Sequence, residues 1–232
     1  MRFLVILFLT AVMARAESAP EVIIAIQPLG EMKQERIDVA RKGLEEAFGL
    51  KVEVLEAKAM PKEAWYEPRE RYRAEKLLNF LNKETALKYR IVVGLTSKDI
   101  STTKGEHVDW GIFGLGELGG RACVVSTFRL GARGADEKKL RERLGKVAIH
   151  EVGHVKGLEH CPQKGCVMQD AESSIATVDA GNGKFWFFVR FCGERSSLLL
   201  GEPMAWMLMH GLDRKSLRPT AWTAIPLESY RC

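Results

Sequence analysis

His150-Glu151-Val152-Gly153-His154-Val155-Lys156-Gly157-Leu158-Glu159-His160 is the stretch on which the reading of this chain turns. On an α-helix, residues four apart lie about 40° from each other around the axis, on one face. His150 and His154 therefore aim both imidazoles at one point. Glu151 lies about 100° round from His150, near enough to hold a metal-bound water without ligating the metal. A third imidazole has to return from beyond the helix. Gly157 takes positive φ without a Cβ penalty, so it ends the helix sharply and turns His160 back. Three neutral histidines leave the fourth tetrahedral position to water, the layout of a catalytic zinc rather than a closed structural one. Five fixed identities at this spacing arise by chance with a frequency on the order of 10⁻⁵ in a chain of this length and ordinary composition.

Working outward, residues 136–156 read as one long helix carrying that segment. Asp136 and Glu137 stand in its first turn, where the helix dipole favours acids. Upstream, residues 21–26 are a short apolar strand candidate. Residues 31–48 form an amphipathic helix, with Ile37, Ala40, Leu44 and Phe48 at helical spacing and Gly49 as its stop. Residues 51–55 alternate as a half-buried strand does, and residues 72–81 form a second helix with Leu77, Leu78 and Leu81 on one side. Residues 89–95 are a buried strand. Two more strands, 110–113 and 121–128, are separated by the Gly-rich run 114–120, which lacks a phosphate-loop pattern and reads as a turn or mobile cleft rim. The order β-α-β-α-β-β-β-α predicts an α/β (α+β) fold, a mixed sheet with helices packed on it. The aromatic stretches 185–191 and 203–209 read as core. The best boundary is the turn near Gly157, which divides a subdomain 17–157 from a smaller irregular one, 158–232.

Composition bounds the function. Of 232 residues, 46% are hydrophobic, enough for a real core. The 21 Gly and 8 Pro are too few for a low-complexity chain. The formal charge of +5 contains no run of five Lys or Arg and does not mark a nucleic-acid binder. Residues 1–16 have the layout of a secretory signal: Met1-Arg2, an apolar run over 3–13, then Ala14-Arg15-Ala16. That run is well short of the about 20 residues a spanning helix needs. The chain is therefore expected to be secreted or periplasmic, without stable membrane insertion after signal cleavage. Losing Arg2 and Arg15 takes the charge from +5 to +3. Cys123, Cys161, Cys166, Cys192 and Cys232 remain, and in an oxidising compartment they are disulfide candidates. Cys123 lies in a strand pattern and reads as a buried thiol. His107 and His210 have no assigned role.

The eleven-residue motif resembles that of the metzincin peptidases, and its continuation narrows the likeness. Cys161 follows His160, four residues intervene, and Cys166-Val167-Met168 come next. This pattern resembles the archaemetzincins. So do Gly94-Leu95-Thr96-Ser97-Lys98-Asp99-Ile100, Ile112-Phe113-Gly114 and Val124-Val125-Ser126-Thr127-Phe128-Arg129-Leu130. The likeness covers residues 90–170 well and the earlier elements more loosely. It implies a metzincin-like twisted mixed sheet with an active-site helix, His150, His154 and His160 on catalytic zinc, Glu151 as general base, and Met168 in the Met-turn beneath the metal. It also implies that the strand before the helix runs along the cleft, where Val124, Val125 and Ser126 would pair with an extended substrate. One departure stands out. The family's second, four-Cys zinc site would use Cys161, Cys166 and a later C-x-x-C pair. Here that pair would begin at Cys192, but its partner position holds Arg195. The expectation is one catalytic zinc and disulfides: Cys161 with Cys166 or Cys192, and Cys192 with Cys232. A second zinc is the alternative.

These readings converge on an exported, monomeric zinc peptidase that acts on a peptide or protein substrate and binds no nucleic acid. The competing expectation is an exported zinc- and peptide-binding module without turnover. A surface-binding protein using its mild basicity would need no zinc.

Overall fold

The central strands are apolar on both faces, and that decides the layering. In the computed structural model, which describes residues 23–181, the elements run as follows. They are β1 (Ile23–Leu29), α1 (Gln34–Phe48), β2 (Lys51–Val54), β3 (Trp65–Tyr66), β4 (Arg71–Arg73), α2 (Ala74–Glu84), β5 (Ile91–Thr96), β6 (Ile100–Lys104), β7 (His107–Ile112), β8 (Gly114–Gly116), β9 (Ala122–Ser126), α3 (Glu137–Val155) and α4 (Ile175–Ala180). The main sheet has the order β2-β1-β5-β9-β8. Its first four strands are parallel, and β8 returns antiparallel to β9.

Alternation along each strand sorts the core into two layers. Ile24, Ile26, Val93, Leu95, Cys123 and Val125 pack with α1 and α3. Ala25, Val92, Ala122 and Val124 pack on the other face with Ala74, Leu77 and Leu81 of α2. Gly49 ends α1 at φ 63°, giving its N–H to Glu45 O at 2.9 Å. Asp136 caps α3 by accepting the Lys139 N–H at 2.7 Å. Arg143 is almost wholly buried on α3. It donates to the carbonyls of Leu130 at 2.6 Å and Ala132 at 2.9 Å, and pairs bidentately with Asp179 at 2.8 Å on both oxygens. That pair ties α4 to α3.

A second sheet, β3-β4-β6-β7, has no counterpart in the sequence reading, which placed a single strand at 110–113. Its strands are short; Ile100, Tyr72 and Ile112 pack into the layer with Val92, Ala122 and Val124, and ion pairs reinforce the junction. Asp99 takes Arg129 at 2.7 Å and Arg71 at 3.3 Å, and Arg71 also reaches Asp109 at 3.3 Å. The Gly-rich run also differs from expectation, because residues 114–116 form an edge strand and the turn comes only after them. Among the described residues no helix is long and apolar enough to cross a membrane. The segment 1–16, the stretches 185–191 and 203–209, Cys192, His210 and Cys232 lie outside the described residues.

The assignment of Val124, Val125 and Ser126 to substrate pairing is corrected by this topology. All three lie in β9, an interior strand. Its parallel partner β5 pairs Gly94 with Val124, Leu95 with Val125 and Thr96 with Ser126. On its other side β8 pairs Gly114 with Val125 and Leu115 with Val124. The three residues are fully buried, so they have no free main-chain edge. Among the described residues the edge on this side of the sheet is β8.

Candidate active site

The metal-ligating geometry starts with the end of α3. Gly157 has φ 86°. Its N–H reaches His154 O at 2.8 Å, and the Leu158 N–H reaches Gly153 O at 3.0 Å. That pair of bonds is a Schellman stop. The reversed chain places Leu158 O on Nδ1 of His154 at 2.7 Å. It also carries His160 back toward the helix.

Met168 supplies the floor. It is fully buried under Gly153, whose missing side chain makes room: a Cβ there would lie 2.5 Å from Met168 Sδ. The turn around Met168 offers two carbonyls. Val167 O meets Nδ1 of His150 at 2.8 Å, and Met168 O accepts the Cys161 N–H at 2.9 Å.

With their Nδ1–H groups given to carbonyls, His150 and His154 present Nε2 lone pairs to the same point. Nε2 of His154 lies 3.0 Å from that of His150 and 3.2 Å from that of His160. The donor atoms of all three lie within 4.8 Å of one another. Lone pairs converging so closely repel unless a cation stands between them. Tetrahedral zinc with bonds of about 2.0–2.1 Å separates neighbouring nitrogens by about 3.3 Å, so this donor set fits zinc. Burial, the largest cause, lowers the His150 pKa to about 4 and also lowers that of His154, keeping both imidazoles neutral and available as ligands.

Glu151 is 5% exposed, beside the ligand pair and against β8. Burial pushes its carboxyl up to about 8, opposed by a hydrogen bond from the Gly116 backbone. A cation held by the imidazoles would favour the carboxylate. Gly114 and Gly116 allow the close approach. A Cβ on Gly114 would sit 2.5 Å from Glu151 Oε1, and one on Gly116 2.5 Å from Glu151 O and 2.8 Å from His154 Cβ. The main-chain bonds Ser126 N–H to Phe113 O at 2.8 Å and Glu117 N–H to Ala122 O at 3.0 Å set the alternation of the hairpin. Leu115 therefore pairs inward with Val124, and the main-chain groups of Gly114 and Gly116 face the open side. A cleft of about 540 Å³ runs along this edge, with Trp110, Leu115, Leu118, Val147 and Val178 among its walls.

The structure thus brings together His150, Glu151, His154, His160, Gly157 and Met168. The sequence reading had missed the role of Gly114, Gly116 and Gly153, although two glycines at alternate positions beside a strand signal a close approach. Cys123 is fully buried, and burial followed by the nearby Glu151 charge pushes its thiol pKa well up. Cys161 is buried in a small cluster with Ile149, Val167 and Met168. No disulfide joins Cys161 to Cys166 among the described residues. Cys166 Sγ accepts the Met168 N–H at 3.4 Å.

Comparison with known proteins agrees with this arrangement. The family model described as Peptidase family M54 matches residues 25–194. An archaemetzincin of Archaeoglobus fulgidus is 35% identical over 174 residues, which span 75% of this chain and 96% of that protein. The crystal structure of an archaemetzincin from Methanopyrus kandleri superposes with a TM-score of 0.62 at 28% identity, covering 80% of this chain and 97% of that one. That of the Archaeoglobus fulgidus protein, complexed with malonate, gives 0.60 at 31% identity, covering 77% of this chain and all of that one. With more than half its length matched by the family and its histidines, glycine stop and buried methionine in place, the chain belongs to Peptidase family M54 and is an archaemetzincin-like zinc peptidase.

Proposed function

We propose that the protein is an exported zinc peptidase with one catalytic ion, in which Glu151 assists the attack of water on a peptide bond. The observation that carries this is the convergence of the His150, His154 and His160 Nε2 atoms beside the buried Glu151. Zinc held by His150, His154 and His160 would supply a Lewis acid that lowers the pKa of water and polarises a carbonyl. Glu151 takes the water proton and passes it to the leaving amine. Gly114 and Gly116 let β8 come close to the Glu151 carboxyl and to the helix. An extended peptide adds to the open edge of β8 through main-chain hydrogen bonds, in the strand-addition mode. That edge lies against Glu151, since a Cβ on Gly114 would sit 2.5 Å from its Oε1.

The secretory layout of residues 1–16 supports export, and Arg195 in place of a thiolate supports a single ion. On this reading the protein is a monomer that takes peptide or protein substrates and binds no nucleic acid.

The test is zinc content together with hydrolysis of a mixed peptide library, beside Glu151→Gln. One zinc per chain, with turnover reduced about 10²–10⁴-fold in the variant and zinc retained, is the expected result. One zinc without cleavage of any peptide would favour the binding module. Two zincs would restore the family's second site. No zinc in folded protein would overturn the reading.

A further inference from the structure

The third imidazole is held differently from the first two. His150 and His154 stand on α3 and give Nδ1–H to backbone carbonyls. His160 lies beyond the helix, its side chain is 47% exposed, and among the described residues its Nδ1 meets no carbonyl. It meets the carboxylate of Asp170, with Oδ2 3.8 Å away.

That carboxylate is itself fixed. Asp170 Oδ1 accepts the backbone N–H of Glu172 at 2.8 Å. Oδ2 also lies 3.5 Å from Nζ of Lys104, at the end of β6. Asp170 stands two residues past the buried Met168, on a segment pinned at both ends. Gln169 Oε1 accepts the Gly165 N–H at 2.9 Å, and Ser173 Oγ donates to Gly111 O in β7 at 2.7 Å. Glu172 and Ser173 adopt positive φ, 45° and 61°. Left-handed backbone at two successive non-glycine residues costs energy and is kept where the surroundings impose it. Within it the Glu172 N–H is held on Asp170 Oδ1, and Oδ2 is left to meet both His160 and Lys104.

We propose that Asp170 is the positioning residue for His160, and that Lys104 braces it from the second sheet. The inference rests on the zinc reading of the three histidines. A carboxylate beside Nδ1 favours the proton there, which leaves Nε2 as the ligand atom. His160 needs this more than its partners do. No helix constrains its backbone, so its side chain loses more freedom when it joins the ligand set. At 3.8 Å the contact is longer than a hydrogen bond, so its effect is on the orientation of the ring. The second sheet then has a place in the chemistry, because Lys104 and Ser173–Gly111 link its hairpin to the segment that carries Asp170.

The experiment measures zinc affinity of the full chain by competition with a chromophoric chelator, and the visible absorption of the cobalt(II) form. Asp170→Asn should weaken zinc binding by about 10–100-fold and alter the cobalt spectrum, and Asp170→Glu should recover part of the loss. Lys104→Met should cost less, about 2–5-fold, as an exposed ion pair does. In a His160→Ala background, Asp170→Asn should add no more than about twofold, because its effect runs through that ligand. Asp170→Asn within about twofold of the parent would overturn the proposal, as would an equal loss with and without His160. A parent chain that binds no zinc would overturn the metal reading itself, a distinct result.

Discussion

The two edges of the five-stranded sheet are built in opposite ways. At one edge β2 carries charge: Glu53 sits 3.2 Å from Lys51 Nζ and accepts the Tyr89 hydroxyl at 2.8 Å. Charged edges of this kind discourage pairing with another strand. At the other edge β8 is Gly114-Leu115-Gly116, uncharged, with its outward main-chain groups along the cleft. The difference teaches that charge guards one edge, while the edge beside the histidines is left uncharged, as the proposed strand addition requires. Its two glycines serve a second purpose, which is to let the sheet press against the catalytic helix.

The largest expected effect lies at the open edge. Gly116→Val should cut kcat/KM by about 100-fold, the scale of a displacement of about 1 Å in a catalytic group. The added side chain meets helix backbone at Glu151 and cannot be accommodated by rotation. Steady-state kinetics beside a zinc measurement separate this from metal loss. Gly114→Ala should cost less, about 10-fold in kcat with zinc retained, because the Glu151 carboxyl it meets can shift. If both variants turn over like the parent, the close approach of β8 is unimportant to catalysis.

A third prediction concerns how α3 is held against the sheet from its far end. Arg143 holds the Asp179 carboxyl at about 2, below the about 3.9 of an unperturbed aspartate. As pH falls the unfolded chain therefore binds this proton first. The stabilisation is complete above about pH 4–5 and is lost as pH falls toward about 2. Thermal unfolding followed over that range should show the loss, and Arg143→Met should flatten it. The smallest effect belongs to the charged edge. Glu53→Gln and Lys51→Thr should leave turnover within about twofold, as exposed substitutions do. Light scattering should detect more self-association, since the edge loses its charge. Unchanged scattering would remove the protective role assigned to β2.

Much of this was legible beforehand. The parallel strands β1, β5 and β9 showed as apolar runs, and α1 showed as helical spacing ended by Gly49, because each signal is local. The second sheet did not show. Its strands are two to six residues long, and a run such as Ser101-Thr102-Thr103-Lys104 has no apolar alternation to mark it. The run 114–120 was read as a turn because glycine signals both a turn and a close approach, and the neighbour across the gap decides between them. Val124, Val125 and Ser126 have the composition of a strand, but no local signal says whether a strand is interior or at an edge.

The ligand constellation was determined by the sequence itself. Residues 150–160 set two imidazoles on one helical face, and Gly157 returned the third, because helical periodicity and the permissive backbone of glycine act over a few residues. Tertiary structure decided what surrounds them. It placed Val167 O behind His150 and Met168 beneath Gly153. It made β8 an edge strand, and it brought Lys104 of the second sheet to Asp170. Those contacts join residues 15 to 66 positions apart, so they depend on strand order and on the spacing between layers, which no short window of residues contains.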